Sequence, residues 1–211
     1  MKLVDYTVEN FVQVLGSDAP APGGGSASSL AGSLGAALCS MVCALSMGKK
    51  KYEPYQELVI ETKKASDGLM NRFLQLIDED TQAYNEVSAV FSMPKETDSQ
   101  KEARKRALQE GLKKSTQPPL EMMKTAKEAL EWTKGVLGKS NENAASDLGV
   151  AALCLKAALQ GAWLNVLINV GSIEDESFNK KYIEEGEALL DASTQLADEI
   201  YEHILQGVRG E

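Results

Sequence analysis

A single histidine, His203, and three cysteines stand in a chain of 211 residues, and aromatic side chains make up only 6% of it. One histidine excludes a Ser-His-Asp triad and a histidine-rich zinc site. His203 itself reads as a surface or interface residue near the C-terminus. Cys39, Cys43 and Cys154 are odd in number and sit in apolar sequence, which argues against a disulfide framework and for reduced, buried thiols. Cys39 and Cys43 share a helical face, but their spacing is neither a metal nor a redox motif. No segment alternates in the manner of a strand. Positive charge is also scarce, and a net charge of −9 argues against nucleic acid and acidic membranes as partners. The basic runs at Lys49–Lys51 and between Lys101 and Lys114 are set among acidic residues, so a small anionic ligand stays open. Lys2, Asp5 and Glu9 interrupt the apolar residues at the start, so no signal peptide is expected and a cytoplasmic location is. Ser26 to Met47 is uncharged and long enough to span a bilayer. Its many serines and small residues favour close helix–helix approach in a core instead, and no membrane role is expected.

What is present is helical periodicity throughout. A short amphipathic helix is expected over 7–16 with Thr7 as cap, then a small-residue central helix over 25–47. A long helix should start at Pro54 and run to Phe91, stopping near Pro94. Asp98 or Ser99 caps the next, which reaches Thr116, and Pro118-Pro119 breaks the chain before a helix over 120–136. Helices over 146–170 and from Asp175 or Ser177 to Leu205 complete the pattern. The chain therefore reads as one all-α domain over 1–211, a bundle of about six to seven antiparallel helices around a buried small-residue helix.

Ahead of that central helix lies Pro22-Gly23-Gly24-Gly25-Ser26. Glycines at a helix mouth let bare N–H groups approach a ligand, and such orphan donors favour a negative or polar partner. The segment also has the composition of a plain turn, with Ser26 as its N-cap. It matches neither nucleotide-binding glycine motif, and no strand precedes it.

Two further placements break the core pattern. Leu69, Phe73, Leu76, Asp80, Tyr84, Val87 and Phe91 share one helical face, which puts Asp80 inside an apolar stripe while Asp78 and Glu79 read as solvated. Desolvation raises such a carboxyl's pKa and makes a proton carrier for neutral pH, although a structural, hydrogen-bonded Asp fits the same pattern. Tyr84, one turn along, either donates to Asp80 or packs. In the helix over 146–170, Asp147, Ala151, Cys154, Ala158, Gly161, Asn165 and Asn169 share a face that is bare in its middle and polar at its ends. Asn141 lies in the preceding turn. Such a face suits a flat heterocycle between helices, or Ser146-Asp147 simply caps the helix and the two amides join helices. Trp132 and Trp163 read as packing residues.

Taken together, the Pro22–Ser26 loop with Ser40-Met41-Val42, Asp80-Thr81-Gln82-Ala83-Tyr84, Ala107–Leu112, Ser146-Asp147-Leu148, Val150-Ala151-Ala152 and Gly161-Ala162-Trp163-Leu164-Asn165-Val166-Leu167-Ile168-Asn169 resemble the cyclodeaminase family of folate enzymes. The likeness runs in order along nearly the whole chain. In animals this domain is fused to a formiminotransferase, and bacterial methenyltetrahydrofolate cyclohydrolases belong to the same family. The resemblance implies an all-helical, homodimeric enzyme with a tetrahydrofolate substrate and neither metal nor cofactor. The cyclodeaminase turns 5-formiminotetrahydrofolate into 5,10-methenyltetrahydrofolate and ammonia; the cyclohydrolase interconverts the methenyl compound and water with 10-formyltetrahydrofolate. Carried over by position, the catalytic carboxylate is Asp80. Gly23, Gly24, Gly25, Ser26, Asn141, Asp147, Asn165 and Asn169 would line the folate site, with Tyr84 beside them. Family members often have Gly-Asn where this chain has Ser140-Asn141. Lys49, with Lys50 and Lys51, is expected to meet the glutamate tail, or else forms a solvated turn. The expected activity is cyclodeaminase first and cyclohydrolase second, with a non-catalytic folate-binding bundle as the rival.

Overall fold

The computed structural model describes residues 2–210. Among them are seven α-helices and three short 3-10 segments, with no strand. The helices are α1 (Val8–Leu15), α2 (Gly24–Ala44), α3 (Gln56–Val90), α4 (Asp98–Ser115), α5 (Gln117–Gly135), α6 (Ala145–Val170) and α7 (Glu176–Arg209). The all-α bundle expected from periodicity is what forms.

Several helix ends differ from expectation for local reasons. Pro54 falls in a 3-10 segment, Lys50–Tyr55, and the long helix starts after it. Thr97, not Asp98 or Ser99, caps α4, because Gln100 three residues on completes a capping box with it. Pro118 and Pro119 occupy the first turn of α5, where missing N–H groups cost nothing, so one residue, Thr116, joins α4 to α5. α2 ends at Ala44 rather than 47. Ser146 and Asp147 do not cap α6; its N-cap is Ala144, with no side-chain bond.

Cross-helix contacts set the directions. Ser29 Oγ donates to the Phe73 carbonyl at 2.6 Å and Ser40 Oγ to Asp67 at 2.5 Å, so α3 runs antiparallel to α2. Gly24 meets Asn165 at one end of α6 and Gly35 meets Leu155 further along, so α6 is antiparallel to α2 as well. α2 is therefore packed between α3 and α6; α5 fills the core on the other side of that pair, α7 packs on α5 and α6, and Leu34 and Met41 of α2 face outward. The largest core cluster joins Phe73 and Leu76 of α3, Met122, Met123 and Leu130 of α5, Leu155 and Leu159 of α6, and Ile200 of α7. Trp132 and Trp163 pack against it, as expected. All three cysteines are free thiols.

α2 and α6 are each long and apolar enough to cross a membrane by length and composition. In this fold their small residues serve contact. A methyl group on Gly32 would collide with the Phe73 ring, and Ser29 and Ser33, which a hydrocarbon-facing helix would disfavour, bond to α3 main-chain carbonyls. Asp78, expected to be solvated, accepts the Leu3 N–H at 2.8 Å and pins the N-terminal segment to α3. α4 is held differently from its neighbours, since only Leu112 and Ser115 within it are buried.

Gly32→Ala is expected to destabilise the fold by about 1–3 kcal/mol, the cost of overpacking a closed core, read as a lower urea midpoint with an unchanged denaturant slope.

Candidate active site

At the N-terminal end of α2 the bundle opens into a cavity of about 390 Å³. Its floor is the glycine loop, and its walls are α3 with Asp80, Thr81 and Tyr84, the end of α4, and the last turns of α6 with Asn165 and Asn169. The stripe on α3 explains the opening. Leu69, Phe73 and Leu76 are buried in the core, whereas Tyr84 and Phe91 beyond Asp80 are 45% and 62% exposed. Asp80 thus stands where the apolar face leaves the core and becomes a cavity wall.

Gly25 makes room for it, because any Cβ there would overlap the Asp80 carboxylate. Burial pushes the Asp80 carboxyl above the ordinary carboxylate range, and the Ser26 side chain and backbone N–H oppose that shift. Ser26 Oγ donates to Asp80 Oδ2 at 3.2 Å, and Thr81 Oγ lies 3.1 Å from the same serine oxygen. With the Ser26 proton committed to Asp80, Thr81 donates into Ser26, which gives a chain of three side chains ending on the carboxylate. Tyr84 shares the cavity and makes no hydrogen bond to Asp80, so of its two expected roles only lining remains.

The structure brings together Gly23, Gly24, Gly25, Asp80, Tyr84, Asn165 and Asn169. Ser26 is fully buried beneath the cavity, so it holds Asp80 rather than facing a ligand. Lys49, Asn141 and Asp147 are elsewhere. α2 is 21 residues long, about 31 Å at the usual rise; Lys49 and Asn141 lie past its far end and Asp147 beside its last turns. Asn141 is buried there, bonded through its N–H to Ser46 and through its amide to the Leu45 carbonyl. Lys49 is exposed, and Lys51 beside it pairs with Glu142. The bare middle of the α6 face is not a ligand surface either: Ala151 and Ala158 are fully buried, and Gly35 and Ser28 of α2 press against that face. Thr81 and Ser115 are cavity residues that the sequence reading missed. Thr81 follows Asp80 and so points about 100° away from the stripe, leaving no periodic signal to find it.

A wider, open depression of about 730 Å³ between α6 and α7 is lined by Asp191, Asp198, Glu199 and Glu202. Lys156 and Lys134 pair with two of these. Its sign disfavours an anionic ligand, and it contains no buried titratable group. The α2 cavity is the better site.

The sequence profile of the formiminotransferase-cyclodeaminase family matches residues 7–188. The chain belongs to that family. It is 38% identical over 198 residues to a methenyltetrahydrofolate cyclohydrolase of Methylorubrum extorquens, covering 94% of this chain and 95% of the relative. It is 32% identical to the formimidoyltransferase-cyclodeaminase of Gallus gallus over 92% of its own length, but spans only 36% of that larger protein. The crystal structure of formiminotetrahydrofolate cyclodeaminase from Thermotoga maritima superposes with a TM-score of 0.84 and 26% identity, covering 97% of this chain and all of the other. The family assignment made from the motifs stands.

Ser26→Ala removes a side-chain donor to the charged form of Asp80 and leaves only the backbone N–H to oppose its desolvation. The acid limb of the pH–rate profile is expected to move to higher pH, with the same circular dichroism; an unmoved limb would show that Ser26 does not tune this carboxylate.

Proposed function

We propose that this chain is an enzyme acting on the one-carbon unit that bridges N5 and N10 of tetrahydrofolate, with Asp80 as its general base and acid. The observation that carries the reading is a desolvated carboxylate at a glycine-floored cavity in a chain of this family. The cyclohydrolase reaction is the one favoured. The likeness to the Methylorubrum cyclohydrolase extends over both whole chains at the highest identity among the relatives compared, which reverses the order suggested by the motifs alone. The cyclodeaminase reading is second, supported by the close superposition on the Thermotoga enzyme.

Both reactions pass through one tetrahedral carbon between N5 and N10. In the cyclohydrolase direction, water attacks the methenyl carbon and Asp80 takes its proton. The same proton returns to N5 as the N5–carbon bond breaks. The remaining hydroxyl proton leaves as the formyl carbonyl forms on N10, so one cationic substrate and one water give a neutral product and one proton. In the deaminase, N10 attacks the carbon of the protonated formimino group, Asp80 takes the N10 proton, and the departing NH2 receives it and leaves as ammonia, so one cationic substrate gives the methenyl cation and neutral ammonia. One carboxylate serves either sequence because each is a proton removal followed by a proton return at atoms held close together. The proposed chemistry calls on no metal or cofactor.

A homodimer forms part of this proposal. α2 and α6 expose a joint apolar face that includes Leu34, Met41 and Leu45 on one helix and Val150, Leu153 and Leu164 on the other. Ile168, 72% exposed, belongs to that face and to the cavity wall. A two-fold axis lying in the face and crossing the helices at right angles would carry Lys49, Asn141 and Asp147 of the partner toward this cavity. The glutamate-tail role proposed for Lys49 is realised only in that arrangement. In sedimentation velocity the unaltered chain is expected as a dimer and Leu153→Glu as a monomer; a monomer in both would remove the dimer from the proposal.

Asp80→Asn is expected to lower turnover by about 10²–10⁴-fold while a reduced folate still binds. The assay follows the near-ultraviolet band of the methenyl compound, lost with 5,10-methenyltetrahydrofolate as substrate or gained from 5-formiminotetrahydrofolate with ammonia. Near-normal turnover by the Asn variant would remove Asp80 from the chemistry. The same substitution has a stability consequence. A carboxyl whose folded pKa is raised makes the native state progressively less stable as pH rises from the ordinary carboxylate value through the raised one. At neutral pH, Asp80→Asn is therefore expected to raise the melting temperature.

A further inference from the structure

We infer that Asn165 and Asn169 recognise the hydrogen-bond donor edge of the reduced pterin, its N3–H and 2-amino group, and so fix which end of the substrate faces α6. The inference rests on the folate reading above and extends it to the orientation of the ring.

Both amides are held through their nitrogens. Asn165 Nδ2 donates to the Gly161 carbonyl at 2.8 Å, and Asn169 Nδ2 donates to the Ser115 carbonyl at 2.9 Å. A main-chain carbonyl only accepts, so each amide is locked with its nitrogen on the protein side and cannot exchange its two ends. Neither Oδ1 has a hydrogen-bond partner among the described residues, and both side chains line the cavity. Standing four apart on α6, the two oxygens come from adjacent turns of one face. Asp80 rises over Gly25, and Asn165 over Gly24, so carboxylate and amides flank the α2 N-terminus on opposite sides.

This arrangement offers a ligand acceptor oxygens on both sides. A tetrahydropterin places two donors, N3–H and the 2-amino group, side by side on its pyrimidine ring, and N5 at the far side of the bicycle. Setting the pyrimidine edge against α6 directs N5 and N10 toward α3, where Asp80 stands. The p-aminobenzoylglutamate half has the opposite character: its carboxylates would be repelled by the same oxygens. A ligand without the pterin donors would leave two acceptors dry and unpaired, which is the strongest form of discrimination such a site has.

Binding by titration calorimetry tests this with four probes: 5-formyltetrahydrofolate, 6-methyltetrahydropterin, p-aminobenzoylglutamate, and a tetrahydrofolate analogue with methyl in place of the 2-amino group. Asn165→Ala and Asn169→Ala are each expected to weaken the first two about tenfold and to leave p-aminobenzoylglutamate unchanged. On the unaltered protein, which removes any question of misfolding, the 2-methyl analogue should bind about tenfold more weakly than its 2-amino parent and lose no more through the 2-position in either variant. Equal binding of that analogue and its parent, or a loss confined to p-aminobenzoylglutamate, would overturn the assignment. If 5-formyltetrahydrofolate does not bind the unaltered protein, the folate reading fails and this inference with it. If it binds and both variants bind it equally well, only the inference falls.

Discussion

The structure depends on how closely α2 approaches its two neighbours. A helix of ordinary apolar residues would stand 8–10 Å from each partner. Here side-chain volume is withheld from α2 and supplied by the other helices: the Phe73 ring lies where a Gly32 side chain would be, and Leu155 where one on Gly35 would be. The gain is dispersion contact over most of a helix length. α2 serines add hydrogen bonds to this contact, among them Ser29 donating to the Phe73 carbonyl of α3. Cavity and core follow one rule. Where α2 begins, its missing side chains admit a carboxylate instead of an aromatic ring.

That continuity explains why a charged group survives in an apolar stripe. Asp80 occupies the next position along the α3 face after Leu76, so the packing that orders the core also fixes its backbone. Its carboxyl is then controlled locally, by Ser26 from below and by the empty space over Gly25. A carboxyl held this way need not be deeply buried to be desolvated, and it retains a route to solvent through the cavity. Positioning comes from helices rather than loops, which suits a reaction that depends on two proton transfers to atoms held near one another.

The sequence made the helices and the anomaly at Asp80 legible through a period of 3.6 residues, and the close packing of α2 legible through its run of small residues. What it hid was long-range. Lys49 and Asn141 sit in polar turns, and Asp147 shares the helical face of Asn165 and Asn169, yet all three lie at the other end of the bundle. Residues 147 and 165 are 18 apart on one straight helix, about 27 Å, so sharing a face did not mean sharing a site. The face that seemed suited to a flat ring was bare because α2 needed it. Ser26 looked like a ligand contact because helix-mouth serines often are; only its burial shows that it turns inward. Thr81 was invisible, since neighbours in a helix do not point the same way.

One wall of the cavity differs in kind from the others. α4 contributes two buried residues and is otherwise attached by hydrogen bonds from Gln109 and Arg104 to neighbouring main chain and by exposed ion pairs such as Lys105–Glu174, with one residue joining it to the prolines of α5. Exposed pairs of this sort add little to stability. α4 is accordingly the wall of the cavity least anchored in the core, the kind of element that opens locally before the rest of a fold. Loosening that single helix would widen the cavity while α2, α3 and α6 keep the glycine loop, Asp80 and Asn165 in register.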